Sequence, residues 1–195
     1  MEKEKETIYF ITGNNNKFNE IQNLFQKEDL SYELKQNTIK TTEIQETSIK
    51  EVAIFKLRSV RGKMKNSYFI EDAGFYVDKP LNGFPGVYSK YVLNTIGNKG
   101  ILDLIREYND TEAHFEAVIA LYFQPTNEIL IFEGVVKGRI AENIRGRGGF
   151  GFDPIFIPKE FPNRTFAELT IEEKNSVSHR GKAWRKLVRF LKETQ

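Results

Sequence analysis

The chain of 195 residues contains no cysteine. That excludes disulfides, thiolate zinc sites and a cysteine nucleophile, and it is compatible with a reducing compartment. Long apolar runs are missing as well. The stretch Ala117-Val118-Ile119-Ala120-Leu121-Tyr122-Phe123 has the length of a strand, far short of the ~20 residues a membrane-spanning helix needs. An excess of one sign of charge is missing too. The net charge is +2 at pH 7, with lysines and glutamates scattered along the chain, so no basic arm or acidic tail points to nucleic acid or a membrane. There is no internal repeat, low-complexity stretch or Pro/Gly-rich linker, and the expectation is one domain over residues 1–195. The opening MEKEKETIYF is charged and carries no apolar core of a signal peptide, which makes a cytoplasmic location the expectation. What the chain does have is 39% hydrophobic and 13% aromatic residues, enough to bury a core rather than stay disordered.

Periodicity predicts a first strand at 7–12, followed by a helix whose Phe18, Ile21, Leu24 and Phe25 share one face. A second strand is predicted at 31–38. Ser48 and Glu51 then have capping-box spacing, starting a helix with an apolar stripe of Ile49, Val52, Ala53, Leu57 and Val60. A short strand at 67–71, a turn-rich segment at 81–88 and a helix near 100–108 follow. Two long strands, 113–123 and 128–140, form an antiparallel hairpin. A glycine-dense loop at 145–153 precedes a short apolar run, and the chain closes in helical pattern, with Thr170 and Glu173 again spaced as a capping box. Strands and helices alternate early and a hairpin comes late. The predicted class is α/β with a mixed sheet.

Five places carry chemistry. After the first strand comes Thr12-Gly13-Asn14-Asn15-Asn16-Lys17. A helix N-terminus with a lysine at its mouth attracts phosphate, but a single glycine fits neither glycine-rich phosphate motif. The same residues suit a plain asparagine-capped turn. Lys56 falls inside an apolar helix stripe at ~100° per residue; either its stem snorkels or its ammonium meets an anion in a cleft. Glu71 and Asp72 follow an apolar strand and precede Ala73-Gly74. Carboxylates at a strand end beside a turn suit a divalent ion or a held water, and Glu43 is a possible second ligand. In Gly148-Gly149-Phe150-Gly151-Phe152-Asp153-Pro154, aromatics interleaved with glycines suit a flat ligand, and Asp153 could accept from ring N–H groups. Finally Lys174, Ser178, His179 and Arg180 cluster within seven positions as a donor-rich cationic patch, Ser178 standing at a fresh helix start. His114 lies in a strand pattern without such company and reads as structural.

Taken in order, Thr12-Gly13-Asn14 with Lys17, Glu71-Asp72-Ala73-Gly74, the LNGFPGVYS stretch of 81–89, Gly149 to Pro154, and FAELT at 166–170 followed by Glu173-Lys174-Asn175 and Ser178 to Gly181 closely resemble the inosine triphosphate pyrophosphatases, a family acting on noncanonical purine nucleoside triphosphates. The blocks span residues 8–183. The segment TIGNKGIL at 95–102 and the strand around Phe132 to Ile140 look most like its archaeal and eukaryotic branches. The resemblance implies an elongated mixed sheet with two α/β lobes flanking a deep nucleotide-binding cleft, and a homodimer, with Tyr88 and Tyr91 as interface candidates. It implies hydrolysis of ITP, dITP and XTP to the monophosphate and pyrophosphate with magnesium, or manganese in its place. Thr12, Gly13, Asn14 and Lys17 would face the triphosphate. Lys56 would contact phosphate as part of the catalytic apparatus. Glu43 and Asp72 would serve the metal, with Asp72 as general base for the attacking water. Phe150 would stack on the base, while Gly151, Phe152, Asp153, Lys174, Ser178, His179 and Arg180 line its pocket. Ala73, also in contact with substrate, stands where the family commonly has serine. The alternatives are a Maf-like pyrophosphatase with another base preference, and a catalytically silent nucleotide-binding module.

Overall fold

A computed structural model describes residues 5–194; the first four residues of the charged amino-terminal stretch lie outside them. Seven strands form one mixed sheet in the order β2-β1-β3-β5-β6-β7, with β4 paired to β3 off this path. The strands are β1 (Glu6–Ile11), β2 (Tyr32–Asn37), β3 (Tyr68–Val77), β4 (Phe84–Gly86), β5 (Glu112–Phe123), β6 (Glu128–Ile140) and β7 (Phe156–Pro158). Strands β1, β2 and β3 run parallel; β4, β5, β6 and β7 join by antiparallel ladders. The mixed α/β class is as predicted, and the β5–β6 hairpin falls within a residue of its expected bounds.

The helices are α1 (Asn15–Phe25), α2 (Ile49–Arg58), α3 (Ser89–Thr95), α4 (Gly97–Ile105), α5 (Ile171–Val177) and α6 (His179–Glu193). The three predicted caps all form: Ser48 accepts from the Glu51 N–H, Thr170 and Glu173 make a reciprocal capping box, and Ser178 accepts from the Gly181 N–H. Strand alternation sorts the core into layers. Phe69, Ile119 and Leu121 pack with Phe10, Ile21 and Trp184 under α1 and α6, while Ile70, Val118 and Ala120 pack with Ile49, Ala53 and Leu57 under α2. A third cluster, built on Phe75, Phe115, Phe152, Phe156 and Phe166, fills the other end of the long strands. No helix of the described residues is long and apolar enough to cross a membrane.

One expectation is corrected. The strand predicted to stop at Glu71 runs on to Val77, so Glu71 and Asp72 are mid-strand and Ala73-Gly74 is not a turn. Gly74 is there for close approach: a Cβ would lie 2.7 Å from the Tyr76 ring and 3.0 Å from the Gly86 carbonyl. Along its other edge β3 pairs with β5 throughout. Along this edge β1 partners only Tyr68 and Phe69, and β4 only Phe75 to Val77. Residues 70–74 are therefore left without a strand neighbour on that side, and the carboxylates occupy this gap.

Candidate active site

At the end of β1 the chain turns through Thr12 and Gly13. The Thr12 hydroxyl accepts from the Asn14 N–H at 3.0 Å, and the Asn14 side-chain oxygen caps α1 through the Lys17 N–H at 3.2 Å. The capped turn, one of the two readings open at sequence level, forms, and the oxygen of Asn14 is used in it. Asn15 is more than a spacer, since its side-chain oxygen accepts from Gln36, which also donates to the Thr12 carbonyl. The Lys17 ammonium crosses to β3. It lies 2.6 Å from Glu71 Oε2 and donates to the Glu71 carbonyl at 3.1 Å.

Consecutive strand residues face opposite sides of a sheet, and this separates the two carboxylates that adjoin in sequence. Asp72 points toward α2, where Lys56 Nζ lies 2.9 Å from Asp72 Oδ1 and 2.9 Å from Glu43 Oε1. Lys56 thus meets anions rather than snorkelling to water, its side chain only 13% exposed. Burial alone would lower its pKa, but Asp72 and Glu43 outweigh that and raise it; the Lys56 hydrogen bond, in turn, holds Glu43 below the usual carboxylate range. Asp72 Oδ2 is buried and has no hydrogen-bond partner among the described residues.

That orphaned oxygen is the test for the metal the resemblance implies. Among the described residues no group of three or more His, Asp or Glu could enclose an ion. Magnesium, however, takes one or two carboxylates plus substrate phosphates. Asp72, with a free buried oxygen, and the largely exposed Glu43 supply that donor set. The residues fit.

Glu71 points the other way, toward α1 and α6, and lies in a chain of charges. Its Oε1 is 3.0 Å from Arg180 Nη2; Arg180 Nη1 donates to Glu20 Oε2 at 2.5 Å. Glu20 Oε1 accepts from Lys174 Nζ at 2.7 Å, and Lys174 reaches Asp153 Oδ2 at 2.6 Å. Asp153 Oδ2 also accepts from the Phe150 N–H at 2.7 Å, pinning the glycine-aromatic loop. Burial would push Glu20 and Glu71 up, yet Arg180 with Lys174 or Lys17 more than offsets it and holds both below the usual range. At Asp153 burial wins over Lys174, and its pKa is raised. His179, driven well below its ordinary value by burial and then by Arg180 and Lys174, is neutral. Its ring stacks on Phe115 at 4.7 Å, and Nδ1 has no partner; nor has Arg180 Nε. Gly134 permits this arrangement, because a Cβ there would sit 2.1 Å from the His179 carbonyl, preventing α6 from pressing its first turn onto β6.

The structure joins Lys17, Glu71, Arg180, Lys174 and Asp153 in one charge chain and Glu43, Lys56 and Asp72 in another, while Ser178 serves as the α6 cap. Phe150 is half-buried, with Lys174 Nζ 4.9 Å and Arg180 Cζ 5.5 Å from its ring centre. Phe152 is instead a core residue, stacked on Phe75 at 4.7 Å. Gly151 is held through its carbonyl by Asn98 of α4 at 3.1 Å. Ala73 lies on the Glu71 face against apolar neighbours. The cationic patch expected of Lys174, His179 and Arg180 is a neutralised network, because Glu20, Glu71 and Asp153 answer its charges. Glu20 was missed because, at ~100° per residue, it falls about 40° outside the stripe of Phe18, Ile21, Leu24 and Phe25, so it lacks the signal that marked Lys56. Lys90, whose charge reaches Glu43 from α3, was missed too and has no periodic signature. His114 is held structurally by Asp78 at 2.9 Å and by stacking on Tyr76. Two surface cavities, of about 180 and 350 Å³, lie elsewhere, around Arg139 and Ile157.

The sequence profile of the Ham1 family matches residues 8–190. A protein from Thermococcus kodakarensis named dITP/XTP pyrophosphatase is 46% identical over 95% of this chain and 97% of its own length. One of the same name from Pyrococcus horikoshii is 43% identical, covering 95% of this chain and 96% of its own. The solved structure of a HAM1 protein from Coxiella burnetii superposes with a TM-score of 0.82 at 31% identity, over 96% of this chain and 99% of that one. With motif order, site geometry and full-length similarity in agreement, the chain belongs to the Ham1 family.

Proposed function

We propose that this protein hydrolyses noncanonical purine nucleoside triphosphates, deoxyinosine and xanthosine triphosphates among them, to the monophosphate and pyrophosphate. One observation carries the reading. A single strand, β3, turns Asp72 toward a lysine-carboxylate cluster on one face and Glu71 toward the Arg180–Glu20–Lys174 charge network on the other, across the gap at residues 70–74. A nucleotide bridging that gap has its phosphates near Lys17 and Lys56 and its base near Phe150, Lys174, His179 and Arg180.

In the proposed mechanism a water attacks the α-phosphorus and the Asp72 carboxylate accepts its proton. The bond between the α-phosphorus and the bridging oxygen breaks, and pyrophosphate departs with the electron pair. Lys17 and Lys56 neutralise the charge that develops on it. Glu43 and Asp72 would hold magnesium, which supplies Lewis-acid polarisation of the phosphate oxygens. Thr12, Gly13 and the Asn14 amide line the helix mouth, which favours anions.

Discrimination against adenine follows from the donors. Arg180 and Lys174 can donate but not accept, so a 6-keto oxygen is met and a 6-amino group is not. A buried polar mismatch of this kind discriminates by ~10⁴ or more. The reading extends to a single two-lobed domain and to a homodimer through the α3 surface, where Tyr88 and Tyr91 are 47% and 71% exposed. The test is pyrophosphate release from ITP, dITP, XTP, ATP and GTP with and without magnesium. Turnover of the first three is expected. Equal rates on ATP and ITP would overturn the base assignment, and no turnover on any would leave a binding module.

A further inference from the structure

We infer that Glu71 is a positioning residue that couples the base pocket to the phosphate site, a role that rests on the function proposed above. Its side chain is fully buried, and each oxygen faces one cation: Oε2 faces Lys17 at 2.6 Å and Oε1 faces Arg180 at 3.0 Å. Among the described residues neither oxygen makes a hydrogen bond of regular geometry, so charge is what ties each to its cation. One cation comes from the helix that receives phosphate, the other from the helix that lines the base pocket. A carboxylate between two cations in a low-dielectric interior fixes their relative position more firmly than either could be fixed in water.

The consequence for Lys17 is geometric. An ammonium has three donors. One donates to the Glu71 carbonyl while the ammonium lies against the Glu71 carboxylate, which leaves donor capacity for the open side, where Lys17 retains 16% exposure. Arg180 continues the chain to Glu20, Lys174 and Asp153, and Asp153 holds the Phe150 N–H. Charges alternate along the whole path. A ligand that orders one end orders Glu71, so the second ligand meets a site already arranged for it. Base fit and phosphate alignment become one requirement.

The test uses the full chain and two separate probes, inosine and inorganic pyrophosphate, at a fixed magnesium concentration. Isothermal titration measures inosine affinity without and with saturating pyrophosphate. The wild type is expected to bind inosine about fivefold or more tightly when pyrophosphate is present, within the usual range of intersite coupling. Glu71→Gln removes the charge and is expected to bring that factor within about twofold of unity while inosine alone still binds. Glu71→Asp keeps the buried charge, and with it the fold, but is one methylene too short to reach both cations; its coupling is expected to vanish likewise. A merely structural role would weaken both ligands and leave the factor unchanged. Absence of coupling in the wild type, or its retention in either folded variant, overturns the inference. Because the measurement is of binding, ITP turnover without coupling refutes the role of Glu71 alone, whereas lack of ITP turnover refutes the function.

Discussion

Lys174→Met offers a quantitative test of the buried charge chain. Lys174 is 4% exposed and faces both Glu20 Oε1 and Asp153 Oδ2. Methionine fills similar space without charge. Glu20 keeps Arg180, so the loss falls on Asp153, whose one ion pair is with Lys174. Breaking a buried pair from one side costs roughly 3–5 kcal/mol. Asp153 can escape that cost by taking up a proton, at about 1.4 kcal/mol per pH unit above its ordinary value of 3.8. The ceiling on the penalty is therefore roughly 6 kcal/mol at pH 8, which does not bind, and about 1.6 kcal/mol at pH 5, which does. The sign is consistent with linkage. A carboxylate whose folded pKa is raised costs stability as pH climbs from the unfolded value toward the folded one, and removing the cation widens that window. For a chain of this size 1 kcal/mol moves Tm by about 2–4 °C. Circular-dichroism melting should thus show a loss of roughly 6–20 °C at pH 8 and only about 3–6 °C at pH 5. An equal loss at both pH values, or none at pH 8, refutes the reasoning.

The catalytic assignment is tested by Asp72→Asn, which should lower kcat by about a hundredfold or more, as expected for a lost general base, while ITP binding measured by titration persists; wild-type turnover would remove Asp72 from that role. At the helix mouth, Asn14→Ala removes the α1 cap, worth about 1 kcal/mol, together with the amide proposed to meet the phosphates. Asn15→Ala loses only a bond from Gln36, so Asn14→Ala should raise KM for ITP well above the Asn15→Ala value, and equal effects would refute the division.

Local chemistry determined much of this protein from sequence alone. The caps at Ser48, Thr170 and Ser178 form because hydroxyls and helix N–H groups three residues apart are always within reach. The α1 and α2 stripes and the β5–β6 hairpin follow from periodicity. Lys56 announced its site by being charged where its neighbours are apolar. The remaining site residues stood out by type and spacing, and their particular roles came through the resemblance to a known family.

Tertiary structure decided how these parts combine. That β3 continues past Glu71 depends on β5 running alongside it and on Tyr76 lying against Gly74, both distant in sequence or invisible to periodicity. Whether Phe152 meets a base or a core depends on Phe75 arriving from another strand. Above all, Glu71 and Asp72 read as one acidic pair in the sequence, and the sheet makes them two different things. Strand pleating sends Asp72 to Lys56 and Glu71 to Lys17 and Arg180. An ion pair between residues more than a hundred positions apart leaves no local signature, because its energy comes from burial that only the assembled fold provides.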